Sequence, residues 1–119
     1  MMQRTYLEFK QGDIVIVELP FSDISGSKLR PALVISSLNV VSRDIILLKI
    51  TSHFRETKDN LFVSLNNQDT EEKSLIKSSY IQTDFILTLD TKLINKRIDK
   101  IKNKKLEEVK DKLKLIFNI

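Results

Sequence analysis

Two short stretches of this chain hold the residues best placed to handle a phosphate. Arg30 follows the run Gly12-Asp13-Ile14-Val15-Ile16-Val17 and the polar segments Pro20-Phe21-Ser22-Asp23 and Ser25-Gly26-Ser27-Lys28, and it stands directly before Pro31-Ala32-Leu33-Val34-Ile35. A proline ring biases the residue before it toward extended backbone, so the pattern predicts strand, polar loop, strand, with a guanidinium presented from the mouth of a sheet. A fixed cation beneath a loop suits a phosphate. In an arbitrary chain, such an arginine more often forms an ordinary surface ion pair. The second stretch, Ile50-Thr51-Ser52-His53, ends the most apolar run of the sequence. A threonine that closes a strand usually bonds nearby backbone through its hydroxyl. His53 reads first as a common loop residue, although imidazole beside Thr51 would suit proton transfer at neutral pH.

Most other catalytic arrangements are excluded by residue content. The chain has no cysteine and one histidine, and it carries neither a phosphate-binding glycine loop nor a metal-ligand motif. A two-histidine ribonuclease mechanism is therefore impossible, and no metal or cofactor is expected. Cleavage of RNA by its own 2′-hydroxyl needs no external nucleophile. A protein need only orient the strand, assist proton transfers and stabilise charge on the phosphorane, which one arginine and one hydroxyl donor can largely supply.

Short β-branched runs must position these groups: Asp13 to Leu19, Ala32 to Ser36, Asp44 to Thr51, Leu61 to Leu65, and Tyr80 to Thr88 with a break near Asp84. Their close spacing predicts a mainly β fold, a small antiparallel barrel or strongly curved sheet. Ile45-Ile46-Leu47-Leu48 is continuously apolar, which suits a central strand covered on both faces or partly by a second subunit, so a homodimer is expected. Leu106, Val109, Leu113 and Ile116 switch to helical spacing after Asn103, a suitable N-cap, and this C-terminal helix should close one end of the barrel. A short helical turn fits Asp90 to Ile94.

At 119 residues, with 41% hydrophobic and 30% charged content, the chain is sized for one domain over residues 1–119. The absence of cysteine fits a reducing cytoplasm, and the N-terminal residues lack the apolar core of a secretory signal, so a soluble cytoplasmic protein is expected. The formal charge is +4, and residues 91–119 alone carry 10 basic and 4 acidic groups. Such asymmetry favours an acidic partner, although lysines commonly do no more than solvate a helix.

The run from Gly12 through Arg30-Pro31, together with Ile50-Thr51-Ser52 and Leu87-Thr88-Leu89-Asp90, resembles the MazF/PemK family of toxin endoribonucleases, its PemK-like branch in particular. The resemblance extends from about Lys10 to Ile116 and implies a small SH3-like barrel. It also implies that Arg30 and Thr51 are catalytic: Arg30 stabilises the transition state, and Thr51 donates a hydrogen bond to the scissile phosphate. Ser52, His53 and Asp23 are supporting candidates. His53 stands where relatives often carry glutamine, and Asp23 is the only acidic residue near the first loop, which lacks the family's glutamate. Phe21, Ser25, Ser27, Lys28, Phe54 and Lys58 are candidate RNA contacts; Phe21 and Phe54 fit a barrel core equally well.

The function implied is that of the toxin in a type II toxin–antitoxin pair, a metal-independent, sequence-specific endoribonuclease. It would cut single-stranded RNA (mRNA) to leave a 2′,3′-cyclic phosphate and a 5′-hydroxyl, and a cognate antitoxin would mask Arg30 with an acidic segment. The alternative is a non-catalytic binding protein of the same fold, either a gyrase-poisoning toxin or a degenerate binder of RNA or antitoxin.

Overall fold

The computed structural model describes residues 9–20, 27–37, 44–75 and 77–119. Phe21, Asp23 and Ser25 lie outside the described residues. Six strands and one helix follow in order: β1 (Asp13–Pro20), β2 (Ser27–Val34), β3 (Asp44–Thr51), β4 (Phe62–Leu65), β5 (Ser79–Asp90), β6 (Ile94–Lys100) and α1 (Asn103–Phe117). They form one sheet in the order β4-β5-β3-β2-β1-β6, and every pair of neighbours is antiparallel.

The expected barrel is instead a sheet that does not close, with β4 and β6 at its two ends. The reason is local. β4 has only four residues, after which Asn66 and Asp69 form a reciprocal capping box around a 3₁₀ turn and draw the chain out of the strand direction. The segment after β4 returns to the β6 end of the sheet, where Thr70 bridges Ile101 and the Glu71 N–H donates to the Lys100 carbonyl at 2.8 Å.

Alternation along the strands divides the apolar residues between two faces. Ile14, Leu33, Leu48, Ile50, Val63, Leu65 and Ile81 share one cluster with Ile101 and with Leu106 and Val109 of α1. Each fully buried aliphatic side chain there contributes about 1.5–3 kcal/mol. The other face carries Val15, Val17, Ala32, Val34 and Leu47, packed with Ile94. In β3, Leu47 and Leu48 are thus buried on opposite faces within this chain, while Ile46 stays 36% exposed.

β6 has no counterpart among the strands expected from sequence. It pairs with β1 and carries Asp99, which is fully buried. Burial alone would push this carboxyl up, but it accepts from the backbone N–H groups of Ser74, Glu72 and Lys100 and from the Ser74 hydroxyl. Together they hold it down at about 2. Because the folded value lies below the unfolded carboxyl near 3.9, the stabilisation is fully present above that value and is lost as pH falls through the folded one. Acid titration of unfolding should therefore show about 2 kcal/mol disappearing between about pH 4 and pH 2, a loss absent from Asp99→Asn.

At the start of α1, Lys102 rather than Asn103 occupies the cap position, and it makes no side-chain capping bond. Tertiary contacts fix the helix entry instead: Ile101 N–H donates to the Gly12 carbonyl at 2.9 Å and Lys102 N–H to the Asp69 carbonyl at 2.8 Å. Gly12 itself has φ +97°, a backbone that disfavours any side chain. The turn expected near Asp90 is a 3₁₀ turn over Thr91–Leu93, capped by the Asp90 carboxylate.

Candidate nucleic-acid interface

Arg30 lies within β2, opposite Val17 of β1. On the other side, β2 pairs with β3 through Val34–Leu47, Leu33–Leu48 and Ala32–Lys49. The ladder ends beside Pro31, which has no N–H to donate. Continuing its register two residues brings Arg30 across from Thr51, at the level where the two strands are no longer hydrogen-bonded. By alternation Lys28 and Arg30 share a face with Ala32 and Val34, and Lys49 and Thr51 share it with Leu47. The two residues singled out from sequence are thus on the face that α1 does not cover. Lys28 and Arg30 are exposed and Thr51 is half-buried.

The Thr51 hydroxyl accepts the backbone N–H of His53 at 3.1 Å. This two-residue turn fixes the hydroxyl oxygen while leaving its proton for donation to a ligand. In it, His53 contributes its main chain. The His53 and Ser52 side chains are both exposed beyond the strand end.

Tyr80 on β5 is the cross-strand partner of Thr51. The Phe54 ring lies 5.0 Å from Tyr80 and 6.0 Å, edge on, from Phe62 of β4. Phe62 is buried, but Phe54 is 57% exposed, so of the two roles open to it from sequence it is not core. The Arg55 guanidinium sits 5.6 Å from the Phe62 ring centre. An exposed aromatic shelf with a cation beside it accordingly flanks the Thr51 hydroxyl. Lys58 is exposed in the following turn, and Ser27 opens β2.

Sequence reading missed Tyr80, Phe62, Arg55 and Lys49. Lys49 could have been found from its even spacing with Thr51 on an apolar strand; the others depend on strand pairing. Among the described residues no helix is long and apolar enough to cross a membrane.

The fold is similar to that of several solved toxins. An endoribonuclease from a Mycobacterial species, solved in complex with its cognate antitoxin, aligns with TM-score 0.74 at 15% identity, covering 94% of this chain and 97% of that one. A MazE–MazF complex from Deinococcus radiodurans aligns with TM-score 0.71 at 24% identity, over 92% and 96% of the two chains. The Mycobacterium tuberculosis toxin MazF-mt6 gives TM-score 0.68 at 15% identity, over 88% and 97%. No curated protein sequence matches the chain. At these identities the structures show a shared fold, and the family assignment rests on a sequence model that matches residues 10–117. The chain belongs to the PemK-like, MazF-like toxins of type II toxin–antitoxin systems.

Proposed function

We propose that this protein is a metal-independent endoribonuclease that cuts single-stranded RNA, and that it acts as the toxin of a toxin–antitoxin pair. The observation that carries the reading is that the β2–β3 register, continued, puts Arg30 level with Thr51 on the face opposite α1, beside the Phe54–Tyr80 shelf. The 2′-hydroxyl oxygen attacks phosphorus, the bond to the 5′-oxygen breaks, and the products are a 2′,3′-cyclic phosphate and a 5′-hydroxyl. A guanidinium is a poor base, so Arg30 serves as a two-pronged clamp on the non-bridging oxygens as negative charge builds. The Thr51 proton points the same phosphate toward Arg30. His53 is proposed for the proton transfers, with Asp23, which lies outside the described residues, as the acidic candidate from the sequence. Phe54 and Tyr80 offer π-faces to an unstacked base, a contact that double-stranded substrate cannot make.

Lys28, Arg30, Lys49 and Arg55 also make this face a target for an acidic segment of a cognate antitoxin, which would exclude RNA by occupying the same cations. A second copy of the chain is the proposed cover for Ile46 and Ile86, 36% and 37% exposed on the neighbouring strands β3 and β5.

Purified protein incubated in EDTA with a long single-stranded RNA should give discrete fragments. Thr51→Val should slow that cleavage about 10²-fold, whereas Thr51→Ser should keep most of it. Folding is little affected, since the one bond lost is to an exposed backbone N–H. Intact RNA with folded wild-type protein would favour the non-catalytic binder of the same fold.

A further inference from the structure

β3 and β5 do not pair evenly. Lys49 stands opposite Gln82, but the next residue, Leu48, stands opposite Ile86, so Thr83, Asp84 and Phe85 bulge from β5 between them. The break foreseen near Asp84 is this bulge inside a continuous strand. It is pinned by Thr83, fully buried, whose hydroxyl and N–H both donate to the Leu61 carbonyl at 2.7 and 3.1 Å. Bulges re-aim side chains. Here the result is that the Phe85 ring lies 4.8 Å beneath the Lys49 ammonium.

Lys49 is unusual for its position. It occupies an interior strand of the sheet, half-buried, on the same face as Arg30 and Thr51, and among the described residues no carboxylate lies within ion-pair distance of it. The Phe85 quadrupole holds the ammonium from one side and leaves its other N–H donors for a ligand. Its strand neighbour on β2, Ala32, is small and buried, so it adds no bulk between the ammonium and the Arg30 side of the face. Lys49 and Thr51 are two residues apart, about 7 Å along an extended strand. That is comparable to the step between successive phosphates of an extended nucleic acid.

We propose that Lys49, held over Phe85, is a second phosphate-binding cation that grips the linkage adjacent to the one between Arg30 and Thr51. The site would therefore recognise at least two successive phosphodiesters of a single strand, and Lys49 would bind and position the RNA without touching the reacting atoms. This inference rests on the nuclease reading above.

The test combines two measurements on full-length protein. In the first, a cleavable oligoribonucleotide carries one uncharged methylphosphonate at each linkage flanking the cut, in turn. Wild-type protein should lose about 10-fold in kcat/KM at one flanking linkage. In the second, Lys49→Met, which keeps the stem but not the charge, should lose a similar factor, chiefly in KM. Its salt dependence should be shallower by about 0.7 in log–log slope, one contact on a single strand, and it should be indifferent to the neutral linkage. Lys49→Arg should restore both. Wild-type cleavage insensitive to either flanking linkage, or a Lys49→Met enzyme with an unchanged salt slope, would overturn the assignment even if Lys49→Met were poorly folded, because the first measurement needs only wild type. Failure of wild type to cut any RNA would instead remove the nuclease reading itself.

Discussion

Arg30→Ala should lower RNA cleavage by about 10²–10³-fold while leaving the thermal unfolding midpoint almost unchanged. The activity loss follows from what a clamp on a phosphorane does: charge develops on the non-bridging oxygens only in the transition state, so the guanidinium is needed most at the moment of reaction. The stability argument follows from position. Arg30 is exposed at the end of the stripe formed by Ala32 and Val34, beyond the last hydrogen-bonded pair of β2 and β3. Its removal uncovers no core. Arg30→Lys should recover only part of the activity, because an ammonium supplies a point charge where a planar fork is needed. Single-turnover cleavage beside circular-dichroism melts checks both halves, and near wild-type cleavage by Arg30→Ala would mean that Arg30 does not act on the scissile phosphate.

Asp99→Ala should produce the largest loss of stability, about 3 kcal/mol or more. The carboxylate serves Ser74, Glu72 and Lys100 backbone donors at 2.9, 2.9 and 2.7 Å and the Ser74 hydroxyl at 2.9 Å. Removing it takes the acceptor from several part-buried donors and loosens the 71–75 segment on β6. Asp99→Asn keeps an acceptor and should cost less. In the sheet order β1 and β2 lie between β6 and β3, so the folded fraction of either variant should cleave RNA normally. Urea unfolding gives the free energies, and a loss below about 1 kcal/mol for Asp99→Ala would show that the segment is held by other contacts.

These two residues also show what the sequence makes legible. Arg30 can be found because a proline and a strand–loop–strand pattern frame it locally. β3 is predicted over its observed span, Asp44–Thr51, and α1 is found from its 3.6-residue spacing. Asp99 and β6 cannot be found this way: Ile94-Asn95-Lys96-Arg97-Ile98-Asp99-Lys100 does not alternate, and its register against β1 shifts twice. What makes it a strand is antiparallel pairing with β1, and its one buried carboxylate is satisfied by residues more than twenty positions away. The helix cap falls at Lys102, one residue before the Asn103 that the sequence suggests, for a similar reason, since Gly12 and Asp69 hold the entry rather than a capping side chain. The level of Arg30 with Thr51 follows only from continuing the β2–β3 register past its last bonded pair, and Phe85 reaches Lys49 only because three residues bulge from β5.

In the proposed reaction the RNA's own 2′-hydroxyl is the nucleophile at a phosphate held by Arg30 and Thr51. The most direct test is a single-stranded oligonucleotide with one 2′-deoxyribose immediately 5′ of the mapped scissile phosphate, incubated with wild-type protein in EDTA. No cleavage is expected at that linkage, with undiminished cleavage when the deoxyribose sits elsewhere and a 2′,3′-cyclic phosphate on the all-ribose product. Cleavage of the deoxy-substituted linkage at the ribose rate would contradict that reaction and require a nucleophile other than the substrate's own hydroxyl.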